Sequence, residues 1–463
     1  MVRSTGNTYN VSKEQNTPGI ERRRFRAYPQ YKDSGVDWLG KIPAHWEARR
    51  LKYLSRIIMG QAPPSEIVNT FGEGLPFLQG NADFGTEHPT ARTFCPYPPK
   101  VAAPQDILIS VRAPVGAINS ADREYGIGRG LCAIRPFIRQ LERRYCNNLL
   151  QTAHSQLDSI STGSTYDAVS ADDVSCLMLS VPSIEEQHRI SYFLDRETAK
   201  IDALIEKKER LIELLQEKRT AIITRAVTKG LGPTVPMKDS GVEWLGEIPA
   251  HWECLALSRV SFARCDGPFG SGLRSEHYSE SGVRVVRLQN IGSAEFCDAD
   301  RAYINEEYGS QLGDHSVLPG DLLIAGLGDD AHPVGRACEA PEHIVPAMVK
   351  ADCFRFRLDV RLLLARFAAY QLSATAAASA GALSTGATRS RLNLTVMATR
   401  KVALPPLREQ AAIVSVLDRG CDENYTLIAK IQVAIDRLME YRTALISAAV
   451  IGKIDVRDTR LTP

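Results

Sequence analysis

The longest pattern in the chain is a stripe of apolar residues at alternating three- and four-residue spacing, and it occurs twice. The first stripe runs Leu194, Ile201, Ile205, Ile212, Leu215 and Ile222, with Thr198, Lys208 and Arg219 at the intervening positions. The second runs Leu417, Ile428, Ile431, Ile435, Leu438 and Leu445, with Cys421, Asn424 and Arg442 between. Such spacing over about four heptads predicts two long helices with a coiled-coil seam. Pro182 and Pro405–Pro406 stand just upstream, where proline is tolerated at a helix start, and Gly230, Gly232 and Pro233 close the first helix. A single stripe of this kind can also lie on the core of its own domain. Two matched helices argue instead for pairing with each other.

Ahead of each helix the pattern changes to short apolar runs bounded by Gly, Pro and Asn. Asp106-Ile107-Leu108-Ile109-Ser110 and Asp321-Leu322-Leu323-Ile324-Ala325 each follow a Pro-x-Asp turn and precede a Pro-Val-Gly, at 114–116 and 333–335. These runs predict strands, so 48–165 and 254–388 are β-rich modules of related architecture. Leu362 to Ala380 is Ala-rich and predicts a helix that Arg366 and Gln371 make too polar for a membrane span.

The whole chain is written twice. YKDSGVDWLGKIPAHWE (31–47) returns 206 residues later as MKDSGVEWLGEIPAHWE, changed only at Tyr31/Met237, Asp37/Glu243 and Lys41/Glu247. All four Trp (38, 46, 244 and 252) lie in these copies. Further on, Ser161-Thr162-Gly163-Ser164-Thr165 matches Ser384-Thr385-Gly386-Ala387-Thr388, and Pro182-Ser183-Ile184-Glu185-Glu186-Gln187 matches Pro405-Pro406-Leu407-Arg408-Glu409-Gln410. The ends of the halves agree and their middles diverge: shared frames surround different contents. The repeated Trp residues read as anchors, and His45 and His251 read as structural.

Composition then removes alternatives. With 463 residues, 44% hydrophobic and 24% charged, the chain suits two to four globular domains rather than a fibrous or wholly disordered protein. A net charge of +2 does not announce a nucleic-acid protein, although a near-neutral chain can carry a basic face. The ten Cys form no CxxC pair, so they read as thiols in a reducing compartment rather than a disulfide or zinc framework. With no long apolar run and a polar N-terminus, the expectation is a soluble, cytoplasmic protein. Residues 1–30 lie outside the repeat, carry Arg22-Arg23-Arg24 and Arg26, and predict a disordered basic extension. It is either a solvated tail or an arm that adds unspecific phosphate affinity. There is no Walker A loop, no GxSxG elbow and no HExxH pair. Tyr97-Pro98-Pro99-Lys100 and Leu404-Pro405-Pro406-Leu407 lack the ends of an amino-methyltransferase motif. No catalytic centre, cofactor site or metal site is readable.

The duplicated KDSGV[DE]WLG-[KE]-IPAHWE frame, the Pro-x-[IL]-x-Glu-Gln helix start and the long helix after it resemble the specificity subunit of type I restriction–modification systems. Asp266-Gly267-Pro268-Phe269-Gly270-Ser271-Gly272-Leu273 with Val286-Arg287-Leu288-Gln289-Asn290-Ile291 is similar to a common second recognition domain of that family. The resemblance implies an α+β protein with two β-rich target-recognition domains separated by two long helices. These would form an antiparallel coiled coil in a pseudo-two-fold internal repeat. It implies a first recognition domain over 31–182, a first spacer helix over 183–230, a linker and second recognition domain over 231–405, and a second spacer helix over 406–463. Its implied partners are double-stranded DNA, two methyltransferase (modification) subunits and restriction/translocase subunits. The chain itself would be non-catalytic and bind neither S-adenosylmethionine nor ATP.

Two divergent modules on duplicated frames suit an asymmetric bipartite site, with spacing set by the protein's own dimensions. Base edges are read by Arg, Lys, Asn, Gln and Ser side chains, while phosphate contacts position the protein. Candidate DNA contacts in loops are Gln79, Asn81, Arg112 and Arg129 in the first module. In the second they are Arg274, His277, Gln289, Asn290, Arg389 and Arg391. The alternative for each is a surface charge or a turn-capping amide. Two rival functions remain: a single-chain methyltransferase or nuclease with an unrecognised motif, and a coiled-coil scaffold that does not bind DNA.

Overall fold

A computed structural model describes residues 25–153, 168–329, 331–383 and 390–457. The chain divides into two compact units, 1–206 with 434–463, and 207–433. Both long helices are present, at Ile184–Lys229 and Leu407–Val450. Each unit therefore contains one β-rich module, the N-terminal part of one long helix and the C-terminal part of the other.

The two modules share one topology. In the first unit Ser55–Met59, Leu131–Pro136, Ile107–Ser110 and Ile118–Ser120 lie side by side in an antiparallel sheet. In the second unit the same order is kept by Ser261–Cys265, Cys353–Leu358, Leu322–Ala325 and Ala337–Glu339. The two runs that predict strands are thus central, and all four residues of each are buried, which is why they read as unbroken apolar stretches. A second sheet in each unit contains one parallel pair, Leu75–Leu78 with Tyr125–Ile127 and Val283–Val286 with Ala347–Val349. The Pro-x-Asp turns deliver buried carboxylates. Asp106 accepts from the Ala103 N–H at 2.8 Å and pairs with Arg135 at 2.8 Å. Asp321 accepts from the Leu318 N–H at 2.7 Å and pairs with Arg357 at 2.9 Å.

Repeated locks hold each module to the start of its long helix. His45 lies 3.0 Å from Glu186, and His251 lies 2.8 Å from Glu409. Gln187 and Gln410 are fully buried, and each amide closes a loop of its own module. Gln187 accepts from the Glu142 N–H and donates to the Gln140 and Pro182 carbonyls. Gln410 does the same with Leu364, Leu362 and Pro405. Arg144–Asp195 at 2.7 Å and Arg366–Asp418 at 2.8 Å complete the set. The motif that signals a helix start in the sequence is therefore also the latch between helix and module.

Trp46 and Trp252 are fully buried, and each packs against the end of a long helix. The helices finish at Gly230 and at a turn containing Gly452, both with positive φ, +73° and +80°. Built onto Gly230, a Cβ would stand 3.4 Å from the Trp252 ring, and one on Gly452 would stand 3.1 Å from the Trp46 ring. The helix that begins in one half of the repeat is thereby capped by the frame of the other half. Trp38 and Trp244 are half-buried at the rims of the same cores.

Within each unit the two helix segments run in opposite chain sense. In the first, Ser180 bonds the Val450 carbonyl at 2.7 Å and Asp202 pairs with Arg442 at 2.9 Å. In the second, Asn424 bonds the Leu215 carbonyl at 3.2 Å, and the Arg219 guanidinium lies over the Tyr425 ring at 4.4 Å. Arg219/Tyr425 and Arg442/Asp202 are the same pair of repeat positions, so each unit repeats one helix-to-helix register. Leu194, Ile201, Leu417, Ile431, Ile435 and Leu445 are buried, while Ile205, Ile212, Leu215, Ile428 and Leu438 are partly so. Ile222 departs from the predicted stripe and is 48% exposed. Past Arg219 the buried face moves to Ile223, Ala226 and Val227, following the 3.6-residue turn onto the module core.

Residues 25–30 depart from the expected disordered extension. Tyr28 is 3% exposed, donates to Glu186 at 2.8 Å and packs edge-on against Trp46, while Phe25 stacks edge-on against Phe193. The aromatic residues, not the basic ones, decide this, because they find an apolar face to cover. Residues 1–24, with the Arg22–Arg24 run, lie outside the described residues. The Ala-rich segment is helical as expected, in two pieces, Ala365–Ala374 and Ala376–Leu383.

Candidate nucleic-acid interfaces

In each module a short helical turn follows the first strand of the parallel pair: Asn81–Asp83 in one and Leu288–Asn290 in the other. In the first module the candidates gather around the turn; in the second only Gln289 and Asn290 lie on it.

In the first unit three chain segments meet beside Gln79. The Gly128 N–H bonds the Leu78 carbonyl at 2.8 Å, and the Val111 N–H bonds the Gly130 carbonyl at 2.9 Å. A Cβ on Gly130 would fall 2.5 Å from the Gln79 carbonyl oxygen, so only glycine allows this approach. The consequence is that Gln79, Arg112 and Arg129, distant in sequence, stand on adjoining segments. All three are exposed, and Asn81 is half-exposed. Asp83 accepts from the Gln79 N–H at 2.8 Å and stiffens the turn. Among the described residues neither Arg112 nor Arg129 has a carboxylate partner, so both guanidinium groups can meet phosphate or a base edge.

The second unit carries a different set on the same frame. Gln289 is exposed at the tip of its turn, but Asn290 is wholly buried. The Asn290 amide donates to the Cys297 and Asp300 carbonyls and accepts from the Arg287 N–H. Asn290 therefore closes the turn and has no free edge for a base, contrary to its candidacy. His277 accepts from the Arg274 N–H at 3.0 Å and stacks on Tyr308 at 4.0 Å between ring centres, which commits one ring nitrogen and one face. Arg274 is exposed. Arg391 bonds Asp352 at 2.9 Å with its guanidinium 5.8 Å from the Phe269 ring. Arg389 lies outside the described residues.

Asp352 and Arg336 were not singled out from the sequence, and Asp266 figured only as the start of the stretch 266–273; their contacts reveal all three. Asp266 accepts from the Gly267 and Asp352 N–H groups at 2.7 and 2.9 Å. Burial nevertheless pushes its carboxyl from 3.8 up to about 6, and the nearby Asp352 charge acts in the same direction. Because the folded state holds this proton more tightly than the unfolded chain, the associated stability is present below about 4 and lost as pH rises through about 6. Asp266→Asn keeps an accepting oxygen without the titration. The variant is expected to gain on the native chain in urea midpoint between pH 4 and 7. An equal offset across that range would contradict the assignment.

All ten cysteines are free. Among the described residues no group of three His, Cys, Asp or Glu is placed to hold a metal, and no helix is long and apolar enough to cross a membrane.

The family model for the type I restriction modification DNA specificity domain matches residues 43–214 and 330–437. A putative type I restriction enzyme MjaX specificity subunit of Methanocaldococcus jannaschii is 36% identical over 193 residues, which span 41% of this chain and 44% of that relative. The type I restriction enzyme StySPI specificity subunit of Salmonella potsdam is 22% identical over 439 residues, 90% of each chain. A solved structure concerned with complex assembly and conformational transition of the type I R-M system aligns with a TM-score of 0.60 at 17% identity. That alignment covers 89% of this chain and 99% of the other. The chain, with its duplicated frame, twin modules and two long helices, belongs to the type I restriction modification DNA specificity domain family.

Proposed function

We propose that this chain is the sequence-specific DNA-binding subunit of a type I restriction–modification complex and performs no bond chemistry itself. The observation that carries the reading is the contrast between matched frames and unmatched contents. One topology, repeated, presents Gln79, Asn81, Arg112 and Arg129 on one module and Arg274, His277, Gln289 and Arg391 on the other. Each module, taken as 31–182 and 231–405, reads one half of an asymmetric bipartite duplex site. The helices at 183–230 and 406–463 pair as an antiparallel coiled coil, set the number of unread bases between the halves and dock two methyltransferase subunits. Restriction/translocase subunits join that assembly, which acts on DNA in the cytoplasm.

The test is a base-resolved map of DNA methylation in the source cell with and without the gene. The reading requires a bipartite motif that vanishes on deletion. A map that does not change would sink it. Binding of S-adenosylmethionine by the purified chain would instead favour a methyltransferase.

Exchanging 48–165 for the same stretch of a relative with another target is expected to rewrite one half of the motif and leave the other half unaltered. A correct base contact contributes about 1–3 kcal/mol of discrimination, so the rewritten half should differ by at least about fivefold per position. Changes in both halves would rule out independent modules.

A further inference from the structure

The Pro-Val-Gly turn is shared by the two modules, but the residue after it is not. Ala117 follows in the first module and Arg336 in the second. Arg336 is 6% exposed, and among the described residues it has no carboxylate partner; its guanidinium bonds main-chain carbonyls. Nε donates to Ile291 at 2.7 Å and Nη2 to Leu288 at 3.0 Å. Nη1 donates to Leu327 at 3.2 Å, His332 at 3.1 Å and Pro333 at 3.4 Å.

These carbonyls belong to two separate segments. Leu288 and Ile291 flank Gln289, the exposed tip of the turn after the parallel strand. Leu327 is the backbone partner of Arg391 in the two-stranded ribbon Leu327–Gly328 with Ser390–Arg391. One planar, rigid fork therefore spans the segment that bears Gln289 and the segment that seats Arg391. A lysine ammonium is a point donor on a flexible stem and cannot reach both in this way.

We propose that Arg336 is a positioning residue for DNA recognition by the second module: it fixes the separation of the Gln289 turn and the Arg391 ribbon, and so determines specificity at one half-site only. The proposal rests on the reading of this chain as a DNA-specificity subunit. It extends that reading to a buried residue that need not touch DNA. Burying a guanidinium against carbonyls alone is costly unless every donor finds a partner. A fork stands behind these two segments in the second module, where the first module has Ala117 at the equivalent position, and this difference points to a local role.

The experiment uses the full-length chain, native and with Arg336→Met or Arg336→Lys. Binding is measured at fixed salt to duplexes carrying the mapped bipartite site, with single base-pair changes placed in one half or the other. Both variants are expected to lose about fivefold or more of the discrimination within the second half-site, the size of one base contact, with the first half-site read as before. Lysine restores the charge but not the span, so it is not expected to rescue. If Arg336→Met does not fold, Arg336→Lys, which keeps the stem and the charge, carries the test alone. Native discrimination at the second half-site in a folded variant would overturn the proposal, as would equal losses in both halves. If the native chain discriminates in neither half, the DNA-specificity reading fails first, and that outcome is distinguishable from the others.

Discussion

Trp46→Ala is expected to lower the stability of the first unit by about 3–5 kcal/mol, the range for removing a large aromatic from a packed core. Trp46 is 0% exposed and lies against Tyr28 at 5.6 Å between ring centres. The core that it shares includes Ile190 and Leu194 from one long helix and Leu445, Ile446 and Val450 from the other. Among the described residues its indole N–H has no hydrogen-bond partner, so the loss is one of apolar burial and packing. Against a typical domain stability of about 5–15 kcal/mol, this is a large fraction. The measurement is the urea midpoint, with the recognised bases read from the residual folded protein. Trp252→Ala should behave alike in the second unit. A Trp46→Ala protein of native stability, or one with a changed target sequence, would remove the Trp frame from the account.

Inserting one heptad into each long helix, after Arg210 and after Val433, is expected to keep both half-site sequences and to add about three unread base pairs between them. Seven residues extend a helix by about 10 Å, and B-DNA rises about 3.4 Å per pair. The two insertion points face one another if the Arg442–Asp202 and Arg219–Tyr425 registers extend along the helices. Both registers then survive the insertion, and each module keeps its latches. The check is the methylation motif of cells that carry the altered chain. An unchanged spacer with full activity would show that the helices are not the ruler.

Local order and duplication were legible in the chain as written. Unbroken apolar runs are central strands because both faces of those strands are covered, as at Ile107–Ser110 and Leu322–Ala325. Heptad spacing, prolines at the helix starts and a glycine at the first helix end reflect backbone sterics and periodicity, which act over a few residues at a time. The repeated Glu186-Gln187 and Glu409-Gln410 pairs marked the helix starts correctly, though nothing in their spacing disclosed that His45, His251 and two loops would close on them.

Contacts between segments far apart in sequence were decided by the fold. Asn290 and Gln289 are neighbouring amides of the same chemical type. One is sealed into its turn by Cys297 and Asp300, and the other is left outside. Tyr28 reads as part of a polar tail until Trp46 and Glu186 provide a surface to bury it. Ile222 belongs to the stripe by spacing, yet the helix turns toward a different neighbour there and leaves it exposed. Arg336, Asp352 and Asp266 acquire their roles only from carbonyls and N–H groups brought to them by other strands. Periodicity and turn chemistry are properties of short stretches of chain. Burial, register and the partner of a charge depend on what tertiary packing brings alongside, and no local pattern encodes that.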